Sequence, residues 1–168
     1  MSAYEFERGE QLVSIGAYVL MPNHFHMLIT EKIEGGISKF MQKLSTAYSM
    51  YYNKKYKRTG GLFEGKFKSH YATEDRYLKY IFSYIHLNPI KLIQKDWKEK
   101  GVQDKKNAIN FLNGYFYSSY LDHLSVYRIQ NKILTLKDFP SYFPNKNNFI
   151  QEIFEWLSCC NDSVPGKT

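Results

Sequence analysis

His24 and His26 stand one residue apart in the stretch MPNHFHMLI, residues 21–29. In an extended strand, positions i and i+2 point to one face, roughly 7 Å apart at Cα. Two imidazoles placed that way can converge on one divalent ion, while Phe25 turns the other way into packing. The same spacing also suits two histidines that simply pack or lie exposed, so the pair does not decide between these readings by itself. A second group comes from RYLKYIFSYIHLNPI, residues 76–90. There Tyr84 and Asn88 are i and i+4, on one edge of a helix that persists to Asn88. Tyr77 shares that edge and Tyr80 is close to it. Tyrosines often occupy the boundary of an amphipathic helix, and that is the competing reading of this edge. A third group is cationic. Lys54, Lys55, Lys57 and Arg58 precede Gly60-Gly61, and Lys66 and Lys68 follow. Tyr56, Phe63 and Phe67 interleave with them, a mixture that suits phosphate contacts and base stacking on single-stranded nucleic acid.

These groups need elements to position them. Residues 12–20, LVSIGAYVL, are β-branched and aromatic and read as a strand. Pro22 and Asn23 punctuate it, and residues 24–30 continue as a second strand, giving an antiparallel hairpin or one long bulged strand. After Gly35-Gly36, a helix is expected from about Ile37 to Asn53, with Ile37, Phe40, Met41, Leu44, Tyr48 and Tyr51 on one stripe. Residues 62–71 read as a strand, with Phe63 and Phe67 on one face and Lys66, Lys68 and His70 on the other. A second helix is expected from Thr73, which can cap it, with Glu74 and Asp75 in the first turn. Its stripe is Leu78, Ile81, Phe82 and Ile85, and Pro89 stops or kinks it, with Asn88 pushed away from helical geometry. The stripe stands roughly 100° around the helix from the tyrosine edge. It can therefore pack on a sheet while the tyrosines look toward a site at the sheet surface. KEKGVQDKKNA, from residue 98, reads as a polar connector. Ser118 or Ser119 can cap a short helix after it, and residues 147–158 form a last amphipathic helix. Interleaved strands and helices with an antiparallel pair indicate α+β.

Composition sets the outer limits. The chain has 168 residues, a formal net charge of +7, 15 Tyr and 12 Phe. A basic, ring-rich chain of this size fits one domain with an extension and a nucleic-acid partner; solubility alone would also account for the charge. The only cysteines are the adjacent Cys159 and Cys160, which suit a reduced, cytoplasmic protein better than a disulfide framework. No signal peptide and no membrane-spanning run are expected.

The blocks AYVLMPNHFHMLI (17–29), GGLFEGKFKS (60–69), RYLKYIFSYIHLNPI (76–90) and YFYSSYLDHL (115–124) resemble, in order and spacing, the REP-associated tyrosine transposases, a branch of the single-tyrosine HUH transposases within the IS200-like superfamily. The resemblance covers most of the chain from Leu12. It implies a catalytic domain over residues 1–100 with a ferredoxin-like antiparallel sheet, helices packed on it and the HUH strand at its centre, and a helical extension over 101–168. It implies cleavage and rejoining of single-stranded DNA at hairpins, in the cytoplasm at the nucleoid. His24 and His26 fall on the metal-binding histidines, Asn88 on a polar third ligand, and Tyr84 on the nucleophile; Tyr77 and Tyr80 match no such position. Mg²⁺ or Mn²⁺ on the histidines would polarise the scissile phosphate. Tyr84 would form a 5′-phosphotyrosine and release a 3′-OH.

Two departures accompany the resemblance. The family's first strand and helix are expected to be absent here or supplied by a partner chain, which would favour a homodimer. Lys66 and Lys91 stand where arginine is common, keeping the charge without the bidentate fork. Two further readings stay open. One is a relative that binds structured single-stranded DNA without cutting it. The other is a metal-dependent hydrolase of another phosphate ester.

Overall fold

A computed structural model describes residues 9–158. Cys159 and Cys160 lie outside the described residues. The chain divides into two compact units, one built from residues 15–28 and 72–158, the other from residues 9–14 and 29–71. The hairpin strands run through both.

β1 (Val13–Leu20) and β2 (Phe25–Glu31) pair side by side. The turn between them is closed by the Met21 N–H donating to the His24 carbonyl at 2.8 Å, with Pro22 and Asn23 at its centre, where a fixed φ and a turn-tolerant side chain are favoured. Gly16 through Val19 of β1 are all buried, because both faces of the strand are covered. Ala17 and Val19 meet Phe82 and Ile85, together with Leu28 of β2. On the other face, Gly16 lies under Phe139, so that an added Cβ would stand 3.0 Å from the ring carbons.

The outer edge of β1 is tied by the C-terminal part of the chain. The Leu20 N–H donates to the Tyr117 carbonyl at 2.8 Å, the Ser119 N–H to Tyr18 at 2.9 Å and the Thr135 N–H to Ile15 at 2.9 Å. Val19 and Ser118 form an antiparallel bridge. The described residues thus provide a two-stranded sheet with a bridged edge, and β2 has β1 as its one strand neighbour among them. The strand expected over residues 62–71 does not form. Those residues are almost all exposed, Gly60 has φ +90°, and alternation without a partner strand buries nothing.

α1 (Gly36–Tyr56) belongs to the second unit and starts from Gly35 in the left-handed region, φ 68°. It ends three residues beyond the expected boundary. Lys57 takes a left-handed C-cap, its N–H donating to the Asn53 carbonyl. α2 (Asp75–Leu87) starts after Glu74 instead of being capped by Thr73; Glu74 is extended and makes no side-chain cap bond. Asp75 still supplies a first-turn carboxylate to the helix dipole. Asn88 is helical, φ −53° and ψ −38°, and the chain runs on into a 3-10 helix, Asn88–Leu92. Pro89 is accommodated because it opens that new turn, where its missing N–H is not needed.

The expected connector is largely helical. α3 (Trp97–Lys100) and α4 (Lys105–Gly114) occupy it, the latter capped by the Asp104 carboxylate accepting from the Asn107 N–H at 2.9 Å. Trp97, Ala108 and Leu112 supply the apolar anchors. With α5 (Tyr120–His123) and α6 (Lys146–Ser158) they build a second core around Leu87, Ile90, Tyr120, Phe149, Ile153 and Leu157. α2 therefore has two jobs. Phe82 and Ile85 face the hairpin, and Leu87 joins the helical core.

Candidate active site

The first unit brings His24, His26 and Tyr84 together. Strand alternation and the tight turn place the two imidazoles with ring centroids 5.1 Å apart, edge to face. The α2 stripe docks on the hairpin, which carries the tyrosine edge toward the histidines. The Tyr84 ring lies 5.5 Å from that of His26, again edge to face. Tyr77, Tyr80 and Tyr84 form a stacked ladder along α2, with centroid spacings of 6.2 and 5.9 Å. Trp156 of α6 packs on Tyr80 at 4.9 Å. Burial, with Tyr84 and Tyr77 beside it, pushes the Tyr80 phenol up to about 12. Tyr80 is therefore a packing member of the ladder rather than a proton donor near neutral pH.

His24 is exposed and its Nδ1 lies 2.7 Å from Asn23 Oδ1. A carboxamide oxygen only accepts, so Nδ1 carries the proton and Nε2 keeps its lone pair. Burial, followed by His24, Lys91 and Lys98, lowers His26 to about 4. Burial and Lys91 also lower His24. Both rings are thus neutral near pH 7, the form that binds a cation.

Asn88 follows one turn after Tyr84 and is fully buried; neither its Oδ1 nor its Nδ2 has a hydrogen-bond partner. A buried carboxamide left unpaired costs free energy, so its oxygen is a group that a ligand could satisfy. The described residues hold no cluster of three or more His, Cys, Asp or Glu suited to a metal. Two neutral imidazoles with ring centroids 5.1 Å apart are a donor set that suits a divalent ion, while Asn88 lies buried beneath the surface one turn along α2 from Tyr84.

Sequence reasoning passed over Lys98. It sits on α3, part-buried, with Nζ 3.8 Å above the centroid of the Tyr84 ring. Burial lowers it and Tyr84 acts in the opposite sense. Tyr80, Tyr84, Leu87, Trp97, Lys98 and Trp156 together line a small recess at this point. The one sequence signal was Trp97, an apolar anchor beside a lysine in an otherwise polar run.

The cationic residues belong to the second unit. Lys54 and Lys55 lie in the last turn of α1, and Lys57 and Arg58 follow it. Lys55 Nζ stands 5.7 Å from the Tyr51 ring and 5.4 Å from the Tyr56 ring. The Arg58 guanidinium lies 5.6 Å from Tyr52. Tyr48, Tyr52 and Tyr56 run along the helix, with Phe63 against Tyr48 at 6.2 Å. Lys66 and Lys68 are exposed on the irregular segment that replaces the expected strand.

Residues 8–88 match the family of IS200-like transposases. The match takes in the hairpin, α1 and α2 up to Asn88, and so contains His24, His26, Tyr84 and Asn88; it ends before Lys98. No curated protein and no solved structure matches the chain. No helix among the described residues is long and apolar enough to cross a membrane.

Proposed function

We propose that this chain is a metal-dependent single-strand DNA endonuclease and strand transferase that works through Tyr84. The observation that carries the reading is the convergence of Tyr84 on the His24–His26 pair within residues matching the IS200-like transposases. The finer assignment, to the REP-associated branch with hairpin DNA as substrate, rests on the linked MPNHFH and YIHLNP blocks. The hairpin and α2 would then be part of a ferredoxin-like catalytic core.

His24, His26 and the Asn88 carboxamide oxygen would hold Mg²⁺ or Mn²⁺, which supplies charge to the scissile phosphate when bound. The remaining chemistry belongs to side chains. The α2 stripe fixes the helix on the hairpin, which sets the direction from which the Tyr84 hydroxyl approaches phosphorus. Attack joins the phenolic oxygen to the 5′-phosphate and releases a 3′-OH. The ester energy is kept, so a second 3′-OH can reverse the step. Besides burial, Lys91 lowers both histidines and Lys98 lowers His26, and the same positive field favours a phosphodiester over a bare cation. Ion and DNA are therefore expected to bind cooperatively. Lys54, Lys55, Lys57, Arg58, Lys66 and Lys68 would bind single-stranded DNA, with the α1 tyrosines as stacking surfaces.

The test is a labelled hairpin oligonucleotide incubated with purified protein and Mn²⁺, then denatured and resolved by electrophoresis. A covalent protein–DNA band that disappears with chelator and in Tyr84→Phe is expected. A band undiminished in Tyr84→Phe would remove the nucleophile. Salt-sensitive binding with no band at saturating metal would mark a DNA-binding relative that does not cut.

A further inference from the structure

The ammonium of Lys98 is laid on the face of the proposed nucleophile by an element outside the residues that match the transposase family. α3 is only four residues long, yet its place is set firmly. Trp97, next to Lys98, is buried among Leu87, Ile90 and α6 residues. Tyr84 is held from its other neighbours by the stack with Tyr80 and the edge contact with His26. The ring is therefore held and the base of Lys98 anchored, and at 3.8 Å the charge is well inside the range where it is drawn to an aromatic face. Removing part of a lysine from water costs free energy, and the aromatic face offsets some of that cost. Packing alone could have been met by an apolar side chain in this recess lined by Leu87, Trp97 and Trp156.

We propose that Lys98 is a positioning residue for the tyrosine chemistry, holding the Tyr84 phenol in its attacking orientation and keeping a positive charge beside the oxygen that becomes phenolate. The inference rests on the proposed role of Tyr84 as nucleophile. In cleavage, the Tyr84 oxygen bonds to phosphorus and the bond to the 3′ oxygen breaks. The phenol proton passes to solvent and the 3′ oxygen takes one from solvent. In rejoining, the incoming 3′-OH gives its proton to solvent, the bond from phosphorus to the Tyr84 oxygen breaks, and the electron pair stays on that oxygen. The charge of Lys98 stabilises the phenolate character of both transition states.

The test measures single-turnover adduct formation and strand rejoining with the full chain, a hairpin oligonucleotide and Mn²⁺, beside DNA affinity by anisotropy. Lys98→Met and Lys98→Gln should slow both steps about tenfold at saturating DNA, with affinity changed by less than about twofold. Lys98→Arg should recover most of the rate, because it keeps the charge over the ring. Neutral variants that react at the wild-type rate would overturn the inference, as would Lys98→Arg reacting as slowly as Lys98→Met. If the neutral variants fail to fold, Lys98→Arg alone decides: a retained charge with the rate lost sinks the idea. No adduct with wild type, or one that survives Tyr84→Phe, refutes the nucleophile and this inference with it. An adduct that Tyr84→Phe abolishes and Lys98→Met leaves unchanged refutes this inference alone.

Discussion

Replacing Arg128 by methionine should be among the most destabilising single changes in the first unit. The guanidinium fork meets the Asp122 carboxylate on two sides, Nε donating to Oδ1 at 2.9 Å and Nη2 to Oδ2. Nη1 donates to the Phe116 carbonyl at 3.0 Å, and Nη2 reaches the Tyr18 hydroxyl at 3.1 Å and the Ser118 carbonyl. The Asp122 side chain is wholly removed from solvent and that of Arg128 is 10% exposed. Methionine keeps the stem volume and removes every one of these donors. Water cannot reach Asp122 to replace them, so the carboxylate is left buried and uncompensated. Breaking such a pair from one side costs about 3–5 kcal/mol, a large share of a total stability of roughly 5–15 kcal/mol.

For a chain of this size about 1 kcal/mol corresponds to about 2–4 °C, so the melting temperature should fall by roughly 6–20 °C. Urea unfolding followed by the fluorescence of Trp97 and Trp156 measures the change. The double variant Asp122→Leu/Arg128→Met should lose less than Arg128→Met alone, because it removes the orphaned charge as well. A loss under about 1 kcal/mol for Arg128→Met, or a double variant equal to the sum of the singles, would refute the reasoning. The functional consequence is that residues 116–128 lose their hold on β1, the strand that carries the His24 turn.

Gly36→Ala should destabilise the second unit by about 1–3 kcal/mol, because its Cβ would stand 2.2 Å from the Leu12 carbonyl oxygen; denaturant titration showing a gain would contradict this. Stability should fall as pH drops below about 6.5. His86 is fully buried, and burial together with the neighbouring His123 lowers it well below the ordinary value. The unfolded chain then takes up a proton that the folded chain refuses, at a cost of about 2 kcal/mol by pH 5; His86→Gln should flatten that slope in melts between pH 5 and 8. His26→Ala should weaken Mn²⁺ binding at least about tenfold, and a hairpin oligonucleotide should strengthen binding to the wild type, both read by Mn²⁺ paramagnetic relaxation. Equal Mn²⁺ affinity with and without DNA would argue against the shared ion–phosphate site.

The parts of the site readable from sequence are those set by local periods. The two-residue period of a strand puts His24 and His26 on one face, and the helical period puts Tyr84 on an edge away from the Phe82 and Ile85 stripe. Both depend on a few neighbours along the chain. Alternation misleads at Phe63, Lys66 and Lys68, since a strand is a property of a pair and among the described residues no strand pairs with that segment. The tie between β1 and residues 117–119 joins positions about a hundred residues apart in sequence, and no local pattern announces it.

Lys98 is the sharpest case of this divide. A four-residue helix has too few positions to show a period, so in the sequence the lysine reads as one charge in a solvated run. Its role depends on Trp97 being drawn into a core built from α2, α4, α5 and α6, and on α2 presenting Tyr84 on its other side. α2 is thus the element that relates hairpin, nucleophile and helical core. Substitutions at Leu87 or Trp97, neither of which is a candidate metal ligand or nucleophile, would move the Lys98 charge relative to Tyr84. Distant packing changes that spare His24, His26 and Tyr84 would therefore act on the proposed chemistry through the placement of this one cation.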